Sequence, residues 1–304
     1  MDRTETADAT ATRSSDQPDT PRKSAAKDKK AKGKKGKKAT MADKADKYVL
    51  YQQSVQAPDI EVKTLRKLYR DTRGKDKKPR ILREDFSGTG AISCSWAKSG
   101  KDRIAYAIDL EPETHQWGTE HNLSALKPKQ QERVHWVLGD VREAHSPPVD
   151  IICACNFSYF IFKTRDELRE YFKAAYENLN DDGVFVCDIF GGHEVLEDNR
   201  QEITRHKGFR YIWDQHKLNP ITHDYLFYIH FAFKDGSKLE KAFEYDWRFW
   251  SIPEVRELML EAGFERADVY WEGTDKDGEG NGKYKRQMLA DADPAWLAYV
   301  VGVK

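Results

Sequence analysis

Glu84, Asp85, Gly88, Gly90, Asp109, Asp140 and Asn156 are the residues whose types and spacing could hold a ligand in this 304-residue chain. The two glycines follow a short apolar run, in Glu84-Asp85-Phe86-Ser87-Gly88-Thr89-Gly90. Glycine at such a place lets backbone come close to a ligand that a side chain would hold away. Asp109 (followed by Leu110), Asp140 (followed by Val141) and Asn156 each close a later apolar run. In open α/β sheets, ligands bind beyond the carboxyl ends of the strands. No Ser/His/Asp set and no metal-ligand spacing accompanies these residues, so the chemistry they suggest is binding and alignment.

The elements that must position them alternate. Residues 80–86 read as a strand and 89–99 as a helix; 103–110 is a second strand, followed by a helix with Pro112 in its first turn, where the missing N–H costs nothing. Strands follow at 134–138 and 149–155, the latter without polar alternation, as suits a strand covered on both faces. Thr164-Arg165-Asp166-Glu167 is a capping box opening a helix to about Leu179, and Ser251-Ile252-Pro253-Glu254 opens another that stops at Gly263. Asp182-Gly183 reads as a turn before a fifth buried strand, 184–190. The pattern predicts a doubly wound, mainly parallel seven-stranded α/β sheet. It ends in two strands, 267–271 and 296–303, separated by a loop without a helix and therefore antiparallel. Between the fifth strand and that ending, residues 209–250 read as an antiparallel insertion with a hairpin turn at Asp235-Gly236.

Charge balances overall, 51 basic against 51 acidic residues, yet residues 1–48 hold 14 basic and 8 acidic ones. A basic tail thus precedes a mildly acidic body. Residues 1–46 include a lysine tract and no large apolar residue beyond Met1 and Met41, and are expected to be disordered. Residues 47–79 are expected to be a helical cover, and 80–304 the domain itself. Cys153 and Cys155 lie two apart on a strand, share a face and cannot bridge each other. Together with Cys94 and Cys187 they are expected to be buried, reduced thiols of a cytoplasmic protein. No apolar stretch is long enough to span a bilayer.

From residue 80 onward the chain resembles the class I S-adenosylmethionine-dependent methyltransferases. Glu84 to Gly90 resembles their acid-x-Gly-x-Gly-x-Gly loop, with Phe86 in place of the first glycine. The resemblance implies S-adenosyl-L-methionine as cofactor. Asp109 would accept the ribose hydroxyls and Asp140 the adenine amino group, while Asn156-Phe157-Ser158-Tyr159 would line the transfer site, with Asn156 and Tyr159 as catalytic candidates. Because Phe86 replaces a glycine, the loop's first turn is expected to differ, and either Glu84 or Asp85 could face the ligand. Further motifs, Leu82-Arg83-Glu84-Asp85-Phe86 and Tyr245-Asp246-Trp247-Arg248 among them, look like an uncharacterised subgroup of these enzymes.

The insertion is expected to act as a substrate lid. Asp214, Gln215, Trp247, Arg248 and Glu272 would form a polar acceptor pocket, with His230 as the candidate base and Tyr51 and Gln53 closing from the N-terminal side. A small polar acceptor is the first expectation. Lysine-rich arms bind polyanions, so nucleic acid is a second. Gly88-x-Gly90-x-x-Ser93 with Asp109 also mimics a dinucleotide fingerprint, though Ser93 fails its third glycine. A nicotinamide-dependent oxidoreductase, or a non-catalytic nucleotide-binding module, is the alternative of another class.

Overall fold

Period-two alternation along five parallel strands decides what each face of the main sheet carries. The strands are β1 (Ile81–Asp85), β2 (Ile104–Asp109), β3 (Val134–Leu138), β4 (Val149–Ala154) and β5 (Leu179–Gly191). The computed structural model describes residues 38–276 and 280–304, of which Ala39 onward forms one unit. Leu82, Ile151, Cys153, Val184 and Val186 bury one face against helices α2 (Pro58–Arg73) and α3 (Ala91–Lys98). Ile152, Ala154, Phe185, Cys187 and Ile189 bury the other against α6 (Arg165–Glu177) and α7 (Ile252–Glu261). Helices on both faces make the sheet doubly wound.

The helices end where their sequences dictate. α2 has Pro58 in its first turn, Asp59 and Glu61 at its positive end, Arg70 and Arg73 at its negative end, and stops at Gly74. Both capping boxes form: Thr164 and Ser251 each accept from the backbone N–H three residues on. α1 (Lys47–Ser54) is capped by Asp46, whose carboxylate accepts from the Tyr48 and Val49 amides. Two short helices, α4 (Pro112–Gly118) and α5 (Pro128–Gln131), lie between β2 and β3 in the chain.

Strand order in the main sheet is β11-β10-β12-β5-β4-β1-β2-β3, with β10 (Arg266–Thr274), β11 (Gly280–Arg286) and β12 (Trp296–Val303). β12 pairs antiparallel with β5, and β10 antiparallel with β12. The sheet has eight strands where seven are predicted. The extra one, β11, begins Gly-Asn-Gly and is almost wholly exposed, so no apolar alternation announces it. Asp182-Gly183 is no free turn but lies inside β5, where its register against β4 shifts.

The insertion is a separate four-stranded antiparallel sheet, β6 (Arg200–His206), β7 (Phe209–Leu218), β8 (Asp224–Phe233) and β9 (Lys238–Arg248). It starts at Arg200, not 209, because β6 is an exposed polar edge strand. Residues 41–45, predicted to belong to the disordered tail, pack instead. Met41, Ala42 and Ala45 join the apolar cluster of Leu50, Phe231 and Phe233, and the Met41 and Ala42 amides donate to Asp235 and Ser237 on the β8–β9 turn. The lysine tract lies outside the described residues. All four cysteines are free and buried. Among the described residues, no helix is long and apolar enough to cross a membrane.

Candidate functional site

The chain runs β1, β2, β3 outward in one direction, then returns to place β4 on the other side of β1. The carboxyl ends of β1 and β4 therefore diverge into a crevice, the usual ligand position in such sheets. Two cavities open there, and Phe86 contributes to both. The first, of about 150 Å³, has Glu84, Ser87, Gly88, Cys155 and Asn156 on the sheet side. Tyr48, Tyr51 and Gln56 come to it from the N-terminal segment, and Phe243 and Tyr245 from β9. The second, of about 470 Å³, is bounded by Asp109, Leu110, Gly139, Asp140 and Val141, with Ile161 and Phe162 opposite.

The loop after β1 is built to bring its backbone to the crevice. Gly88 has φ +52° and Gly90 φ +63°, the left-handed region that glycine enters without steric cost. A Cβ on Gly90 would fall 2.2 Å from the Trp136 ring, so this position excludes any side chain. Phe86 also has a positive φ, +54°. Phe86, standing where the resemblance places the first glycine, thus takes the left-handed backbone that glycine enters freely. Contacts of the Phe86 ring with Phe162 and Tyr171 hold it there.

The two neighbouring carboxylates separate by strand alternation. Glu84 points toward α3 and accepts from Ser93 N at 2.7 Å and Ser93 Oγ at 2.6 Å. Burial pushes its carboxyl up to about 7. Asp85 points the other way and pairs with the fully buried Arg83 (Nε to Oδ1, 2.6 Å) and with the Tyr171 hydroxyl at 2.9 Å. Arg83 also donates to the Val141 and Ala144 carbonyls, tying β1 to the loop after β3. Arg83 is thus the partner of a buried acid.

Asp109 accepts the Gly88 amide at 2.6 Å and the Glu111 amide at 2.9 Å, so it both lines the second cavity and fixes the glycine loop. Asp140 accepts a forked hydrogen-bond set from Arg142, which holds its carboxyl below the usual range. Arg142, missed from the sequence, packs its guanidinium on the Phe162 ring. Asn156, with φ +58°, reaches the first cavity.

The N-terminal helix closes the crevice from above. Tyr48 meets Glu113 and Thr114 at 3.3 Å, Gln52 donates to Thr89 Oγ1 at 2.9 Å, and Trp117 donates to Asp46. Burial raises the Tyr51 hydroxyl to about 12. Gln53, expected beside Tyr51, is exposed and lines neither cavity, since an offset of two helical residues turns it by about 200°, onto the opposite side of the helix. Gln56, not singled out in the sequence, takes that place.

Several other expected site residues are elsewhere. Tyr159 is fully buried in the core against Phe160 and Phe172. His230 alternates out of the face that holds Tyr225, Phe227 and Ile229; its Nε2 lies 3.2 Å from Asp214 and its Nδ1 accepts the Lys241 amide. Asp214 also accepts from Gln201, while Gln215 donates to the Glu194 and Glu197 carbonyls. Trp247 is buried against Phe157 and Phe160. Arg248 stacks on Trp250 and pairs with Glu254. Glu272 accepts the Gly282 amide at the β10–β11 edge. These residues form structural pairs at separate places and do not make one acceptor pocket.

No family model matches the chain, and no curated protein sequence does. Solved structures do match. The CcbJ methyltransferase of Streptomyces caelestis aligns over 83% of this chain and 98% of its own, at TM-score 0.61 and 16% identity. A sugar N-methyltransferase from Streptoalloteichus covers 86% of this chain and 93% of its own, at 0.57 and 18%. An amino pentose methyltransferase from Micromonospora, solved with S-adenosylmethionine bound, covers 83% and 95%, at 0.57 and 14%. This is the S-adenosylmethionine-dependent methyltransferase fold. In it the main sheet carries the glycine loop and the acids at strand ends, and the second sheet, with α1, roofs the methyltransferase-like crevice.

Proposed function

We propose that this chain is an S-adenosylmethionine-dependent methyltransferase acting on a small polar acceptor. The observation that carries the reading is the pair of cavities meeting at Phe86, with Gly88 and Asn156 at one and Asp109 and Asp140 at the other. The first cavity suits a polar ligand segment. Ser87 Oγ and Gln56 Oε1 line it, buried and without a hydrogen-bond partner, and buried polar atoms are rarely left so. In this reading Asp109 accepts the ribose hydroxyls and Asp140 the adenine amino group. The Gly88 loop, Gln56 and Tyr48 hold the methionine part.

The cofactor supplies a methyl group on a sulfonium, ready for direct displacement. The chain's own task is alignment and exclusion of water. Phe243, Tyr245 and Tyr51 supply the dry roof, and Asn156 and Ser158 a polar wall at the sheet. With His230 and Tyr159 directed elsewhere, the acids and bases among the described residues lining the two cavities are, besides phenols and Cys155, the carboxyls of Glu84, Asp85, Asp109, Glu111, Asp140 and Glu167 and the Arg142 guanidinium. The similar proteins that are a sugar N-methyltransferase and an amino pentose methyltransferase support an amine-bearing small molecule as the first acceptor to try.

Calorimetry with S-adenosylmethionine, S-adenosylhomocysteine and NAD tests the cofactor reading. Saturable binding of the first two is expected, with none of NAD, and Asp109→Ala should weaken it at least tenfold. Binding of NAD alone, or an Asp109→Ala variant that binds as the wild type does, would refute it.

A further inference from the structure

The loop after β4 is held in an unusual shape by one buried acid on β5. Asn156 and Phe157 are consecutive non-glycine residues with φ +58° and +59°, a conformation that costs each of them energy and concentrates at functional sites. Asp188 grips both: its Oδ2 accepts the Asn156 amide at 2.8 Å and its Oδ1 the Phe157 amide at 2.9 Å. Only 8% of Asp188 is exposed. Among the described residues no lysine, arginine or histidine pairs with it. The titratable groups that face it are all acids: Glu61 from α2, Tyr51 from α1, Tyr159 after β4, Tyr284 and Tyr299 from β11 and β12, and the thiols Cys155 and Cys187.

A buried carboxylate without a cation is costly. Its two amide hydrogen bonds offset that cost only in part, and a neutral amide side chain would not carry the buried charge. A carboxylate is, however, the side chain that presents two acceptor oxygens at the spacing of two successive amides. Building on the methyltransferase reading, we infer that Asp188 is a positioning residue that keeps the left-handed Asn156-Phe157 pair in place, and so sets the wall of the crevice at the transfer point. Phe157 in turn packs on Phe190 and Trp247, so the same clamp fixes the second sheet's approach to that wall. Burial pushes the Asp188 carboxyl up to about 7. The clamp is therefore complete above that pH and loses one acceptor oxygen as pH falls through it.

The test is Asp188→Asn, which keeps shape but turns an NH₂ toward one amide. Three readouts are taken at pH 8: melting temperature, S-adenosylhomocysteine affinity, and hydrogen exchange of the Asn156 and Phe157 amides. The inference expects a melting temperature equal to or above wild type, affinity lowered at least tenfold, and lost protection at those two amides. The wild type should also bind more weakly below pH 7, while the variant, which keeps only Glu84 titrating near there, shows a shallower limb. Unchanged affinity with protected amides overturns the inference, and so does an affinity loss that merely accompanies a lowered melting temperature. If the wild type binds no S-adenosylhomocysteine, the methyltransferase reading fails on its own. Amide exchange then decides the clamp, lost protection supporting it and retained protection overturning it.

Discussion

Two adjacent carboxylates, Glu84 and Asp85, acquire different surroundings from one fact of strand geometry: successive side chains point to opposite faces. Glu84 meets the amide end of α3, and Asp85 meets Arg83 and Tyr171. Tyr171→Phe should remove the hydroxyl from Asp85 and leave one of its oxygens short of a donor, a loss of about 1–3 kcal/mol readable by urea denaturation. If stability were unchanged, the hydroxyl would not be holding Asp85. Gly90 is more demanding still. An alanine there must adopt a left-handed backbone and displace the Trp136 ring, so Gly90→Ala should cost about 2–4 kcal/mol and distort the glycine loop with it. An alanine variant as stable as wild type, with unaltered cofactor affinity, would contradict this account of the loop.

At the scale of elements, α1 is the bridge. One side of it, through Leu50 and Tyr51, packs on the second sheet, while Tyr48 and Asp46 reach α4 on the main one. Asp46 has two roles, capping α1 and accepting from Trp117. Asp46→Ala is expected to cost about 1 kcal/mol as a lost cap. It should also raise the dissociation constant of the cofactor, because the helix that roofs the first cavity frays. Calorimetry beside thermal melting separates the two effects, and a variant with intact affinity would show that α1 needs no such anchor. The same packing sets a boundary. The first contacts of the described N-terminal segment with the second sheet are at Met41 and Ala42. A chain beginning at Lys38 should therefore melt and bind cofactor as the full chain does; a lower melting temperature would mean that residues 1–37 contribute to the fold.

Across the whole molecule, the buried acids give a signed dependence on pH. Glu84 and Asp188 both have carboxyls raised by burial to about 7, against about 4 in an unfolded chain. Between those values the folded state holds more protons, so their contribution to stability falls as pH rises from about 4 to about 7 and is level above. Asp188→Asn removes one of the two, and the decline in melting temperature between pH 6 and pH 8 should become shallower. A slope identical to wild type would mean that Asp188 titrates as an ordinary surface acid.

How much of this was legible beforehand follows from the range of the forces. Strands β1 to β5, both capping boxes and the antiparallel ending were readable, because apolar runs, caps and short connections are local signals. The acids at strand ends were readable too, since a strand's end fixes where its next residue sits. Strands β6 and β11 were not, for they are exposed edges held by backbone pairing, which leaves no side-chain pattern. The amino-acid sequence by itself determined the order of elements, the glycine loop and the row of acids along it. Only tertiary packing decided that Phe86 keeps a left-handed turn, that His230 faces away, that Gln56 and not Gln53 lines the crevice, and that Asp188 grips the Asn156 loop. Each of these depends on which distant surface a side chain meets, and no spacing along the chain records that.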